Sequence, residues 1–150
     1  MKTVKTLVAV AFAALTLSLV GCSKDPEDLI IGSWEITSMT YSLSSSAAPD
    51  QPWTETYTPE EGESDVMTFR KDDTFTVVST ADGETNTMNG TYDVDDDKLT
   101  ITYKDDEISF SETYTISNID KKAMTLVSNE SSVEDGVTYS ATTTIELKKQ

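Results

Sequence analysis

Histidine is absent from this chain of 150 residues, and cysteine occurs once. Without an imidazole there is no Ser-His-Asp or Cys-His nucleophile system and no histidine ligand for zinc. One thiol cannot form a disulfide within the chain, so the fold must be held by its core. Basic residues are also scarce: 11 Lys and Arg stand against 27 Asp and Glu, a formal net charge of −16. That balance argues against nucleic acid as a partner, which needs a basic surface. Long apolar runs are missing too. The uncharged stretch Leu7 to Val20 has 14 residues, short of the roughly 20 that a spanning helix needs. A carboxylate-only mechanism is the enzyme class left open. Among so many acidic residues no pair stands out. The chain is therefore read as a non-enzyme, with no catalytic residue, no metal ligand and no cofactor.

What is present begins with the N-terminus. Lys2 and Lys5 precede the apolar stretch, and Leu19-Val20-Gly21-Cys22 ends it with small residues before the cysteine. This is the layout of a secretory signal. Leu-Val-Gly-Cys resembles a lipobox; the alternative is an ordinary signal peptide with an incidental cysteine. The resemblance implies that residues 1–21 are removed and that Cys22 carries a diacylglycerol and palmitate-type acyl chains. Two or more chains suffice for stable anchoring in a bilayer. Residues 22–28 then form a lipidated tether. Ser23 beside the cysteine resembles outer-membrane sorting. Ser23-Lys24 followed by acidic residues resembles surface-export signals. The expected location is the outer membrane, lipid-anchored, on the periplasmic side or at the cell surface. The mature chain, residues 22–150, has the size of one domain. Losing Lys2 and Lys5 takes its formal charge from −16 to −18.

After Asp28 the apolar pattern has period two, and Thr, Ser, Val, Ile and Tyr dominate. Eight runs are predicted as strands: Ile30–Leu43, Val66–Arg70, Thr74–Ser79, Thr87–Val94, Lys98–Tyr103, Ile108–Ser117, Ala123–Val127 and Val137–Leu147. In the first run the apolar phase shifts by one after Trp34 and Ile36, which predicts a bulge near Ser38. No long amphipathic helix is visible. Eight strands joined by turns predict an all-β, antiparallel up-and-down barrel, which removes the sheet edges. Short connections at Lys71–Asp73, Asp95–Asp97 and Asn118–Lys122 fall at one end. The long connection Ser44–Asp65 falls at the other, with moderate ones at Thr80–Asn86 and Ser128–Gly136. One end is thus predicted closed and the other a loop-rich mouth.

Gly32-Ser33-Trp34 at the start of the first run resembles the Gly-x-Trp signature of lipocalins. Met67-Thr68-Phe69-Arg70 and Asn89-Gly90-Thr91-Tyr92, each followed by acidic turns, resemble lipocalin-like lipoproteins of Gram-negative bacteria. The resemblance spans residues 29–148 and implies a lipocalin-like barrel domain at 29–150. Lipocalins often place an arginine over the signature tryptophan, where this chain has Lys148 and Lys149. Near the sixth-to-seventh turn it has Asn118-Ile119-Asp120 in place of a Thr-Asp-Tyr-like motif.

Strand direction sorts the inward residues. Trp34, Ile36, Phe69, Phe75, Val94, Leu99, Ile116, Met124 and Leu147 fall toward the closed end. Met39, Tyr41, Met67, Val77, Met88, Tyr103, Phe110, Leu126 and Tyr139 fall toward the mouth. They either line a pocket for a small apolar ligand or simply fill a small barrel. Trp53 and Tyr57, in the long connection, either cap a ligand or anchor that segment to the rim. Asp93, Asp95 and Asp97 have calcium-loop spacing, but Lys98 and Lys104 occupy positions the loop reserves for Gly and Glu, so a tight acidic hairpin turn is expected. Arg70, Lys71, Lys98, Lys121, Lys122, Lys148 and Lys149 collect at the closed end. The mouth collects Glu60, Glu61, Glu63, Asp65, Asp82, Glu84, Asp105, Asp106, Glu107, Glu130, Glu134 and Asp135, with Lys104. Two functions remain open. One is a membrane-anchored carrier, expected to be monomeric, for a small neutral or cationic apolar ligand. The other is a solid barrel whose loops contact an envelope protein or a glycan.

Overall fold

A computed structural model describes residues 25–104 and 109–150. The signal segment, Cys22, Lys24 and residues 105–108 (Asp105, Asp106, Glu107 and the start of the sixth run, Ile108) lie outside the described residues. The period-two runs become strands, preceded by one short helix. The elements are α1 (Pro26–Ile30), β1 (Gly32–Ser45), β2 (Trp53–Tyr57), β3 (Ser64–Phe69), β4 (Thr74–Ala81), β5 (Glu84–Asp95), β6 (Lys98–Lys104), β7 (Ser109–Ile119), β8 (Ala123–Glu134) and β9 (Val137–Lys149). Each strand pairs antiparallel with its neighbours, and β1 also pairs with β9. That last ladder closes the ring. No helix among the described residues is long and apolar enough to cross a membrane.

The ring has eight staves although nine strands are counted. β3 pairs with Gly32–Glu35 at the base of β1, and β2 pairs with Met39–Leu43 higher on the same strand. Both run antiparallel to β1. They are one stave, interrupted by residues 58–63. The predicted bulge is present: the β1–β9 register shifts between Ile36 and Ser38, leaving Thr37 over. Its hydroxyl donates to the Glu146 carbonyl at 3.0 Å. The extra residue restores the inward phase, so Trp34 and Ile36 below it and Met39 and Tyr41 above it all point inside.

Three connections differ from expectation. Thr80–Asn86 and Ser128–Gly136 are mostly strand, and each hairpin turns on an Asp-Gly pair, Asp82-Gly83 and Asp135-Gly136, with φ of 53° and 78° and of 50° and 78°. This is the type I′ turn that suits the twist of a hairpin. The long connection contains β2. The mouth is therefore a rim of extended hairpins rather than loops. Ser128 to Ser132 carry no apolar alternation because the strands there rise above the core. Backbone ladders and polar pairs hold them, such as Thr142 to Asn129 at 2.9 Å. At the other end Asp95 to Lys98 form the expected tight acidic turn.

The core fills the lower barrel. Trp34, Phe69, Phe75, Leu99, Ile101, Met124 and Leu126 are fully buried, with Ile116, Ile145 and Leu147 close to it. Val94 is half-buried against them. Burying each such side chain stabilises the fold by about 1.5–3 kcal/mol. Five rings form a continuous climb from base to rim. Tyr92 meets Phe69 edge-on at 5.0 Å, and Phe69 stacks with Phe75 at 6.2 Å. Phe75 meets Tyr103 at 5.2 Å, and Tyr103 stacks on Phe110 at 4.5 Å. Gly90 makes this possible, since a Cβ there would lie 2.4 Å from a Phe75 ring carbon and 2.1 Å from the Thr102 carbonyl oxygen. On the outer face hydroxyls pair across strands, as in Thr102–Ser111 at 2.8 Å and Thr40–Thr56 at 3.1 Å.

Helix α1 seats the N-terminal segment against the closed end, and Ile30 is fully buried there. Pro26 to Asp28, within the segment read as tether, are thus already helical.

Candidate functional site: a cavity in the barrel

Above the core the side chains no longer meet at the barrel axis. They leave a cavity of about 360 Å³. That is room for about a dozen waters at roughly 30 Å³ each, and it lies at the small end of the range for ligand pockets. Its lower walls are apolar: Ile36 and Met39 from β1, Met67 from β3, Val77 from β4, Met88 from β5 and Ile145 from β9. Three of these are methionines, which adapt to irregular shapes. The polar wall groups are Asp65, Ser79, Tyr103, Glu112, Tyr114 and Thr143.

Glu112, Tyr114 and Thr143 also line a second hollow of about 320 Å³ higher up, with Tyr41, Ser128, Glu130 and Ala141. A third, of about 260 Å³, lies between Tyr41, Leu43, Glu130, Tyr139 and Ala141. The second lies where β7 and β8 part above the Thr115–Val127 pair, and it shares wall residues with the other two: Glu112, Tyr114 and Thr143 with the first, and Tyr41, Glu130 and Ala141 with the third. Trp53 is 52 % exposed and meets Tyr41 edge-on at 5.8 Å. Tyr57 donates a hydrogen bond to Glu63 at 3.1 Å. Both aromatics belong to β2, a strand hydrogen-bonded to β1, and not to a free lid. Phe110 is 49 % exposed on the opposite side of the rim, against Met88 and Tyr103 in a further hollow.

The electrostatics of the cavity are one-sided. The Tyr114 hydroxyl donates to a Glu112 carboxylate oxygen, which orients that carboxylate at the cavity wall. Burial, then the Glu112 hydrogen bond and charge, push the Tyr114 phenol far up. Burial, and after it Glu112, push Tyr103 up to about 12. Both phenols are therefore neutral donors at neutral pH. Asp65 makes no side-chain hydrogen bond or ion pair among the described residues. Among those same residues Lys104 is the only cation at the mouth, facing Glu55, Glu60, Glu61, Glu63, Asp82, Glu84, Glu130, Glu134 and Asp135. No group of three or more potential metal ligands occurs among the described residues.

The closed end carries its own construction. Trp34 is fully buried and its indole N–H donates to the Ile30 carbonyl at 2.6 Å. Lys149 lies over its ring, with the Nζ atom 4.7 Å from the centroid. Gly32 has φ +129°, and a Cβ there would come within 2.9 Å of the Lys149 side chain.

Of the residues expected to line a pocket, Met39, Met67, Val77, Met88 and Tyr103 meet around the cavity. Tyr41 and Tyr139 lie above it, and Phe110 stands at the rim. Leu126 is a correction: it is fully buried in the core and borders none of these hollows. Ile36, read as a closed-end residue, reaches the cavity floor. The sequence reading missed the polar members Asp65, Ser79, Glu112 and Thr143. All four stand in phase with inward apolar neighbours, two residues from Met67, Val77, Tyr114 and Ile145. That phase was the available signal.

A family model for a lipocalin-like domain matches residues 30–126. No curated protein matches the sequence. Two solved structures share the fold. One is a lipocalin-like protein from Bacteroides uniformis, 14 % identical, with a TM-score of 0.53 over 81 % of this chain and 98 % of that one. The other is an uncharacterized protein from Bacteroides eggerthii, 16 % identical, with a TM-score of 0.52 over 80 % and 98 %.

Proposed function

Because the chain belongs to the lipocalin-like domain family, we propose that it is a lipid-anchored carrier which holds a small neutral or cationic apolar ligand inside its barrel. The observation that carries the reading is the 360 Å³ cavity with its methionine-rich floor. Filled barrels of this size leave no such space. The acidic rim disfavours anionic ligands such as fatty acids. Nothing in the reading requires catalysis, a metal or a nucleic acid, and one copy of the chain forms the whole site.

The anchor is proposed from the sequence of the signal segment, with Cys22 as the acylated residue and the outer membrane as its location. Only Ser23 and Lys24 lie between Cys22 and Asp25, the residue that precedes α1, so three Cα steps give a reach of about 11 Å at most. The closed end would then stay near the bilayer with the mouth turned away.

Native mass spectrometry of protein purified without detergent, with thermal shifts against neutral, cationic and anionic apolar compounds, tests the carrier. Ligand-dependent shifts are expected. A barrel that shows no co-purified mass and no shift with any compound sinks the reading. For the anchor, Cys22→Ser should move the protein from the membrane to the soluble fraction.

The exposed aromatics Trp53, Tyr57 and Phe110 favour a second reading, contact with an envelope protein or glycan at the rim. Photocrosslinking in cells from positions 53 and 57 separates the two. Specific protein adducts lost on deleting β2 would support contact.

A further inference from the structure

Acidic residues crowd the whole mouth, and as a solvated rim they would mean little. Asp65 and Glu112 differ from the rest in where they stand. Both border the cavity, Asp65 half-buried and Glu112 exposed at its upper wall, among side chains that are otherwise apolar or aromatic apart from the hydroxyls of Ser79 and Thr143. They also come from opposite sides of it. Asp65 is on β3 and Glu112 on β7, four staves apart in a ring of eight. Whatever occupies the upper cavity lies between two carboxylates.

We infer that the cavity reads a protonated amine, held between Asp65 and Glu112, on a ligand whose apolar body rests on Met39, Met67 and Ile145. The inference rests on the carrier reading above and names the ligand class.

Three features converge on a cation. Two carboxylates on opposite walls both attract a cation seated between them, and their attractions add. The rings of Tyr103 and Tyr114 flank the same space, and aromatic faces attract ammonium groups. No Lys or Arg borders the cavity to neutralise either carboxylate. The Tyr114 hydroxyl fixes Glu112 before a ligand arrives, which lowers the ordering cost of binding. An anionic head would meet two carboxylates, and a neutral alcohol would forfeit the charge attraction.

The test is calorimetric titration of the full chain at pH 7 and low salt with octylammonium, octan-1-ol and octanoate. The three share one apolar tail and differ in head charge. Octylammonium should bind at least tenfold tighter than octan-1-ol, and octanoate weakest. Glu112→Gln and Asp65→Asn should each weaken octylammonium about tenfold and leave octan-1-ol unchanged. Asp82→Asn, in a rim turn outside the cavity, should change neither. If one cavity variant fails to fold by near-UV circular dichroism, the other decides.

Equal affinities for the amine and the alcohol would overturn the inference while leaving the carrier reading intact. So would an Asp82→Asn effect as large as that of Glu112→Gln, which would mark a diffuse field rather than a site. Binding of none of the three compounds would remove the carrier reading and this inference together.

Discussion

The ammonium of Lys149 lies 4.7 Å from the centre of the Trp34 ring and donates hydrogen bonds to the carbonyls of Leu29 and Ile31 at 2.9 and 2.8 Å. One side chain from the last strand thereby ties α1, the first strand and the closing ladder together. In the lipocalin pattern an arginine covers the signature tryptophan, and here a lysine does the same packing.

Replacing Lys149 by Ala should therefore cost about 1.5–3 kcal/mol, the range for hydrogen bonds made by a charged group, with a smaller part from the lost ring contact. Lys149→Arg should retain most of it, whereas Lys148→Ala, on an exposed side chain, should change stability by about 0.5 kcal/mol or less. Urea midpoints of the three variants check this. Equal midpoints for Lys149→Ala and Lys148→Ala would count against the role of Lys149.

Gly90→Ala should destabilise the barrel by about 1–3 kcal/mol, as overpacking does. Its Cβ would enter the space of the Phe75 ring and of the Thr102 carbonyl oxygen. Trimming Phe75 would relieve only the first clash. The double variant Gly90→Ala with Phe75→Leu should therefore be no more stable than Gly90→Ala alone, a comparison that thermal melts can settle.

Tyr103 gives an alkaline limit. Burial, and then Glu112, lift its folded pKa to about 12, against roughly 10 for an unfolded chain. Burial and the Glu112 hydrogen bond raise Tyr114 further in the same direction. A raised phenol pKa means that the stability from the neutral form is fully present below about pH 10 and is lost as pH rises toward about 12. Urea stability should be flat up to about pH 10 and fall above it, and Tyr103→Phe should soften that fall. An unchanged slope in Tyr103→Phe would refute the assignment.

The two tryptophans divide by environment. Trp34 is fully buried and Trp53 is 52 % exposed. Acrylamide should quench Trp53 and spare Trp34. Trp53→Ala removes one edge-on ring contact, so stability should fall by about 1.5 kcal/mol or less. Ligand bound at the upper wall should shield Trp53, and quenching that is identical with and without ligand would place the ligand wholly below it.

How much of this could be read from the residues is best judged locally. The bulge at Thr37 was legible because the apolar phase breaks between Ile36 and Met39, and a strand with one buried face must restore its phase. The closed end was legible for the same reason, since Trp34, Phe69, Phe75 and Leu99 alternate cleanly with polar neighbours. β2 was not legible. Trp53-Thr54-Glu55-Thr56-Tyr57 alternates, but both faces are exposed, and Pro52 and Pro59 flank it in a segment rich in Ser and Glu. Its strand character comes from pairing with β1. Likewise Ser128 to Glu134 is strand because β9 holds it, with no apolar pattern to announce it. The cavity itself is a packing outcome. Period two tells which side chains point inward and not whether they meet at the axis.

Residues 58–63 leave the edge of β1 after β2 and return to it at β3. Ring closure does not depend on them. A segment of this kind can lengthen with little thermodynamic effect, since doubling a flexible loop costs only about 0.6 kcal/mol. The barrel thus has a splice point in its wall, beside the mouth, where new sequence can be tried without refolding the staves. Related chains can diversify what they meet at that point while keeping the same base.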